Sequence, residues 1–201
     1  MMTTIDYYFG PQSPWTYLGH ERFAKIAAAA SAKINVLPVD LGRVFPVSGG
    51  LPLAKRAPQR QTYRLVELKR FSEFLGRPLI VQPRYFPVAS DDAAKLIIAV
   101  DQADGTGAAM RIAGAVMRAV WAEQRNIADP TVLQALLLEC ELAPRRLDDS
   151  QSQAVHERYA DDSQRAIDAG VFGAPTYVLD GEMFWGQDRL DFLERRLADA
   201  N

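Results

Sequence analysis

Cysteine is nearly missing from this chain of 201 residues, with Cys140 the only one. A single thiol excludes an internal disulfide, self-contained thiol–disulfide exchange and a metal site built from several thiolates. Histidine is almost as sparse: His20 and His156 both fall inside helical patterns, where a structural role suffices, and no metal is expected. Long apolar runs are lacking too, since no stretch approaches the roughly 20 residues needed to span a bilayer. Nor does either sign of charge dominate. The 23 basic and 25 acidic residues leave a net charge of -2, so neither nucleic acid nor a membrane surface is expected as a partner. Residues 1–10 have no basic segment and run directly into a strand pattern, so no signal peptide is expected and the location is expected to be cytoplasmic. What is plentiful is apolar character: at 48% hydrophobic, the chain can build one substantial domain, or a small domain with an insert.

The pattern predicts a strand over 5–9, aromatic and β-branched, ending at Gly10-Pro11-Gln12-Ser13-Pro14. A helix over 15–30 follows, with Pro14 suited to its first turn, where a missing N–H costs nothing. A second strand is predicted over 34–39, and a right-handed crossover makes the pair parallel. Residues 41–59 contain Gly42, Pro46, Gly49, Gly50, Pro52 and Pro58, which predicts a long loop. A block of helices then follows. One covers 61–75 with Leu65, Leu68, Phe71 and Leu75 at helical spacing, and Ser90-Asp91-Asp92 starts the next, with Leu96, Ile97 and Val100 as its stripe. Ile112, Val116, Val120 and Trp121 mark a helix over 108–123. Asp129-Pro130 caps another, with Leu133, Leu136, Leu137 and Cys140 on one face, so Cys140 is expected in the core. The last of the block covers 150–169 and stops at Gly170. Strands over 176–179 and 182–185 flank Asp180-Gly181, a two-residue hairpin signal, before a final amphipathic helix over 187–197. The order βαβ, helices, ββα describes an α/β protein: a thioredoxin-like domain, residues 1–45 and 160–201, interrupted by an all-helical insertion, residues 46–159.

Open α/β sheets hold ligands beyond the carboxyl ends of their strands, and Ser13 stands there, before a helix. A helix N-terminus favours an anion by about 0.3–2 kcal/mol. From position alone, Ser13 reads first as the cap of the helix that begins at Pro14. Pro175, in Gly170-Val171-Phe172-Gly173-Ala174-Pro175-Thr176, precedes a strand, and the sequence leaves its peptide isomer open.

Together these segments resemble the DsbA-like superfamily. Ser13-Pro14-Trp15-Thr16 falls where redox members carry Cys-x-x-Cys, and Ala174-Pro175-Thr176 falls where they carry a cis-proline loop. Hydroxyls at 13 and 16 remove disulfide exchange. A Ser-Pro-aromatic start with the proline loop intact is similar to kappa-class glutathione transferases and 2-hydroxychromene-2-carboxylate isomerases. The stretch from Gly170 to Thr176, continued by Asp180-Gly181-Glu182-Met183-Phe184-Trp185-Gly186-Gln187-Asp188-Arg189-Leu190, is close to the isomerase form.

The resemblance implies that glutathione supplies the thiol. Ser13 then hydrogen-bonds its sulfur, Ala174-Pro175-Thr176 pairs with its cysteinyl amide, and Gln187, Asp188 and Arg189 take its γ-glutamyl end. Arg60 takes the place of a family lysine near the glycyl carboxylate. It shares a helix face with Tyr63, Glu67 and Arg70, which reads equally as a solvated stripe with an intrahelical ion pair. Arg43 and Tyr85 match positions near the family's substrate pocket, where an aromatic carboxylate needs a cation and an aromatic wall. An asparagine common near Gly49-Gly50 in the family is absent here. The family implies an isomerase acting in naphthalene-type aromatic catabolism and commonly forming homodimers. Two rivals stand beside it, a kappa-like transferase and a non-catalytic thioredoxin-like binding protein.

Overall fold

The computed structural model describes residues 3–199. Strand β1 (Thr4–Phe9) is central in a four-stranded sheet of order β2-β1-β3-β4. It pairs parallel with β2 (Lys33–Pro38) and antiparallel with β3 (Thr176–Leu179), which pairs antiparallel with β4 (Glu182–Trp185). Strand alternation divides β1 between two cores. Ile5, Tyr7 and Phe9 face the larger one, while Tyr8 joins Leu37, Val39, Val44, Ala166 and Val171 on the other side. The Tyr7 and Tyr177 rings, on adjacent strands, stack at 5.4 Å with 5° between their planes.

Helix α1 (Pro14–Ala29) covers the larger core, which continues without a break into the helical block. That block holds α3 (Pro58–Phe74), α4 (Asp91–Asp104), α5 (Thr106–Trp121) and α6 (Pro130–Glu139), preceded by α2 (Leu41–Ser48). A short helix α7 (Arg146–Asp149) leads into α8 (Gln153–Asp168), which with α2 packs on the opposite sheet face. Helix α9 (Leu190–Asp199) closes the chain after a 3-10 turn, Gln187–Arg189. The hairpin Asp180-Gly181 adopts φ of 51° and 82°, the doubly left-handed turn that its sequence calls for.

The structure corrects several expectations. Residues 41–59 are not one long loop. Asp40 accepts from the Gly42 N–H at 2.7 Å, starting α2, and Gly49 ends it at φ 74°. Pro46 lies inside α2, late enough in an eight-residue helix to be accommodated. The expected helix over 150–169 begins only at Gln153, and Ser90 makes no side-chain cap, leaving Asp91 and Asp92 to favour the start of α4 by charge. Cys140 is the C-cap of α6 and only half-buried, packing against the larger core from its edge rather than within it. The division into residues 1–45 with 160–201 and 46–159 stays a proposal, its limits falling inside α2 and α8.

Candidate active site

The sheet register gathers four loops at one end. Phe9 pairs with Pro38, Tyr8 with Thr176, and Thr176 with Trp185. The segments Gly10–Ser13, Asp40–Arg43, Ala174–Pro175 and Gly186–Arg189 therefore all leave the sheet on the same side. Residues more than 160 positions apart in sequence become neighbours through two strand pairings.

Ser13 is the N-cap of α1. Its Oγ accepts from the Thr16 N–H at 3.3 Å, and its own N–H donates to the Gly10 carbonyl at 2.9 Å. Accepting that bond uses a lone pair and leaves the hydroxyl proton free to donate to a ligand atom. The cap and a ligand-binding role are thus compatible. The Ala174–Pro175 peptide is cis. Around it, the Thr176 hydroxyl donates to the Gly173 carbonyl at 2.8 Å, and Gly186 N–H donates to the Pro175 carbonyl at 2.9 Å. The backbone groups of Ala174 have no partner among the described residues. A chain segment with free N–H and C=O can pair with an extended peptide as a sheet edge does.

Gln187 is buried against α1, whereas Asp188 and Arg189 are exposed and bonded to each other at 2.8 Å. Arg60 is exposed on the first turn of α3. The stripe it shares with Tyr63, Glu67 and Arg70 is largely solvated, with a 2.8 Å ion pair between Glu67 and Arg70. Arg43 donates to the Ala160 carbonyl of α8 at 3.3 Å, and Tyr85 lies 5.4 Å from the Arg84 guanidinium.

Sequence reasoning missed residues on the other side of Ser13. The Gln12 carbonyl accepts from the indole Nε1–H of Trp121 at 3.1 Å, and its side-chain oxygen accepts from Val88 N–H at 3.2 Å. Arg64 lies over the rings of Phe86 and Trp121, at 5.1 and 5.8 Å from their centres. Burial, and then the charge of Arg56, push its pKa down to about 10. A signal existed: Arg64 precedes Leu68 by four and Phe71 by seven, so it continues the apolar stripe of α3 with a cation. Further back, His20 is held between Tyr7 and the Met110 carbonyl, and burial lowers its pKa to about 4. Burial raises the Cys140 pKa. His156 is exposed on α8.

The topology, with a serine at the start of α1 and a cis-proline loop before β3, defines a thioredoxin-like protein. Residues 4–198 match the DSBA-like thioredoxin domain. A 2-hydroxychromene-2-carboxylate isomerase of Pseudomonas putida is 32% identical over 96% of this chain and 94% of its own length. A solved 2-hydroxychromene-2-carboxylate isomerase superposes with a TM-score of 0.82 at 27% identity, covering 98% of this chain and 95% of that one. Glutathione S-transferase kappa 1 of Caenorhabditis elegans is more distant, 24% identical over 94% of this chain and 88% of its own. The chain belongs to the 2-hydroxychromene-2-carboxylate isomerase family of DSBA-like thioredoxin domains.

Proposed function

We propose that this protein is a glutathione-dependent isomerase that interconverts 2-hydroxychromene-2-carboxylate and trans-o-hydroxybenzylidenepyruvate in naphthalene-type aromatic catabolism. The observation that carries the reading is Ser13 at the start of α1, its hydroxyl proton free, at the same sheet end as the unpaired backbone of Ala174. The residues present suit glutathione: a hydroxyl donor and a helix N-terminus for a thiolate, and a free backbone edge for a peptide. The kappa-class relative supports the same cofactor by its name.

Glutathione, when bound, supplies a thiolate whose reversible addition to the conjugated double bond of the ring-opened substrate makes that bond free to rotate. The chain's own residues prepare and hold the reactants. Ser13 donates to the sulfur and, with the N–H groups of the first turn of α1, favours its charged form, lowering a thiol pKa ordinarily about 8.5. Thr16 contributes the N–H that orients the Ser13 oxygen. Ala174 pairs through its backbone with the cysteinyl unit. Asp188 meets the γ-glutamyl amine, beside the N–H groups of the 3-10 turn and Gln187, while Arg189 holds Asp188. Arg60 attracts the glycyl carboxylate, and Arg43 and Tyr85 border the aromatic acid.

The test is the absorbance of 2-hydroxychromene-2-carboxylate mixed with purified protein, with and without glutathione, for wild type and Ser13→Ala. Conversion that requires glutathione and slows by on the order of a hundredfold in the variant is expected. Conversion that ignores glutathione, or no conversion at all, refutes the reading. Glutathione consumed in proportion to product indicates a kappa-like transferase instead.

A further inference from the structure

Arg64 is a half-buried cation without an anion. Among the described residues it makes no hydrogen bond and no ion pair, only contact with the ring faces of Phe86 and Trp121. Several other arginines among the described residues have carboxylate partners, Arg70 with Glu67, Arg77 with Glu21, and Arg146 with Asp104 and Asp149. A half-buried charge balanced only by ring faces, with no counterion, is costly to keep. Its neighbours raise that cost, because Arg56 depresses Arg64 and Arg60 depresses Arg56, so three cations at four-residue intervals share one field.

The location bears on the chemistry. The Trp121 ring under Arg64 donates to the carbonyl of Gln12, the residue before Ser13. Phe86 and Trp121 contact each other at 4.7 Å. A guanidinium with unused N–H donors on aromatic faces, linked through Trp121 to the residue before Ser13, offers a carboxylate a two-pronged partner.

We propose that Arg64 is the substrate-carboxylate anchor of this site, holding an aromatic acid beside the partly exposed Phe86, with the buried Trp121 as the support beneath the guanidinium. The assignment rests on the reading that the site takes an aromatic acid, and it leaves the glycyl carboxylate to the more exposed Arg60. It makes Arg64 a specificity residue for acids over neutral analogues.

Binding separates this from the catalytic reading, since it needs no turnover. Calorimetric titration of trans-cinnamate, trans-cinnamamide and glutathione into wild type, Arg64→Gln and Arg64→Lys is the experiment. In Arg64→Gln, cinnamate affinity is expected to fall on the order of tenfold or more, with cinnamamide and glutathione unchanged. Arg64→Lys keeps the charge and loses the fork, so it restores part of the cinnamate affinity. If Arg64→Gln fails to fold by near-ultraviolet circular dichroism, a several-fold selective loss of cinnamate in Arg64→Lys supports the proposal. Equal losses of cinnamate and cinnamamide overturn it, as does unchanged cinnamate binding or a wild type that binds neither. Weakened glutathione with intact cinnamate overturns it too, and transfers Arg64 to the glycyl carboxylate. Failure of the isomerase assay alone leaves these outcomes readable.

Discussion

Gly19 and Gln187 meet with no room between them: a Cβ on Gly19 would stand 2.8 Å from the Gln187 Cβ and 3.1 Å from the Tyr177 hydroxyl. A helix otherwise gains about 1 kcal/mol from replacing glycine with alanine. Here the close approach lets α1 press on the 3-10 turn that carries Asp188 and Arg189.

Gly19→Ala is therefore expected to lose stability despite the better helix former. Overpacking costs about 1–3 kcal/mol, and after the propensity gain a net loss of up to about 2 kcal/mol remains. Urea unfolding measures it. A variant more stable than wild type would mean that the turn shifts freely.

Substitution can separate the cap that Ser13 forms from the role at the thiol proposed for it. Ser13→Ala removes the cap and costs about 1 kcal/mol. Ser13→Asp keeps a capping oxygen for Thr16 N–H, so its unfolding midpoint stays near wild type. Its negative charge opposes a thiolate, so the ultraviolet thiolate absorbance of bound glutathione should vanish in it. Thiolate signal that persists in Ser13→Asp would remove Ser13 from the thiol site.

His20 gives the fold a pH dependence of definite sign. Burial holds its pKa at about 4 in the fold, against 6.5 ordinarily, so the unfolded chain takes up a proton first as pH falls. The stability from its neutral form is complete above about 6.5 and is lost as pH falls toward 4, on the order of 3 kcal/mol across the window. Urea unfolding at intervals between pH 7 and 4 should show the loss in wild type and much less of it in His20→Gln. Tyr7→Phe, which strips the 3.1 Å bond to His20 Nδ1, should cost about 1–3 kcal/mol at pH 7.

Asp40 starts the helix that the prolines and glycines of 41–59 conceal. Asp40→Ala removes the 2.7 Å bond to Gly42 N–H and should cost about 1 kcal/mol. Hydrogen exchange should quicken locally in 41–48, and unchanged protection there would show that packing on α8 alone holds α2.

Much of this molecule is legible from local chemistry. The buried β1 strand, Pro14 at a helix start, the Asp129 cap and the Asp180-Gly181 turn all reappear where backbone physics puts them. Helix α2 escaped because composition weighs Pro46 and Gly49 against a helix, while a single capping bond and the shelter of α8 favour one. Cys140 escaped because periodicity predicts which face is inward and says nothing of where the helix stops.

The sequence by itself determined an exclusion and a likeness: one cysteine forbids internal disulfide exchange, and Ser13 before Pro14, with Ala174-Pro175-Thr176 far downstream, carries the family resemblance that implies a borrowed thiol. Tertiary structure alone decided which cations matter. Arg60 and Arg64 lie one turn apart on α3 and are indistinguishable by residue type, yet one faces water and the other the rings of Phe86 and Trp121. The physical reason is that a charge acquires its consequence from its surroundings. Its desolvation arises only when Phe86 and Trp121 are folded against it.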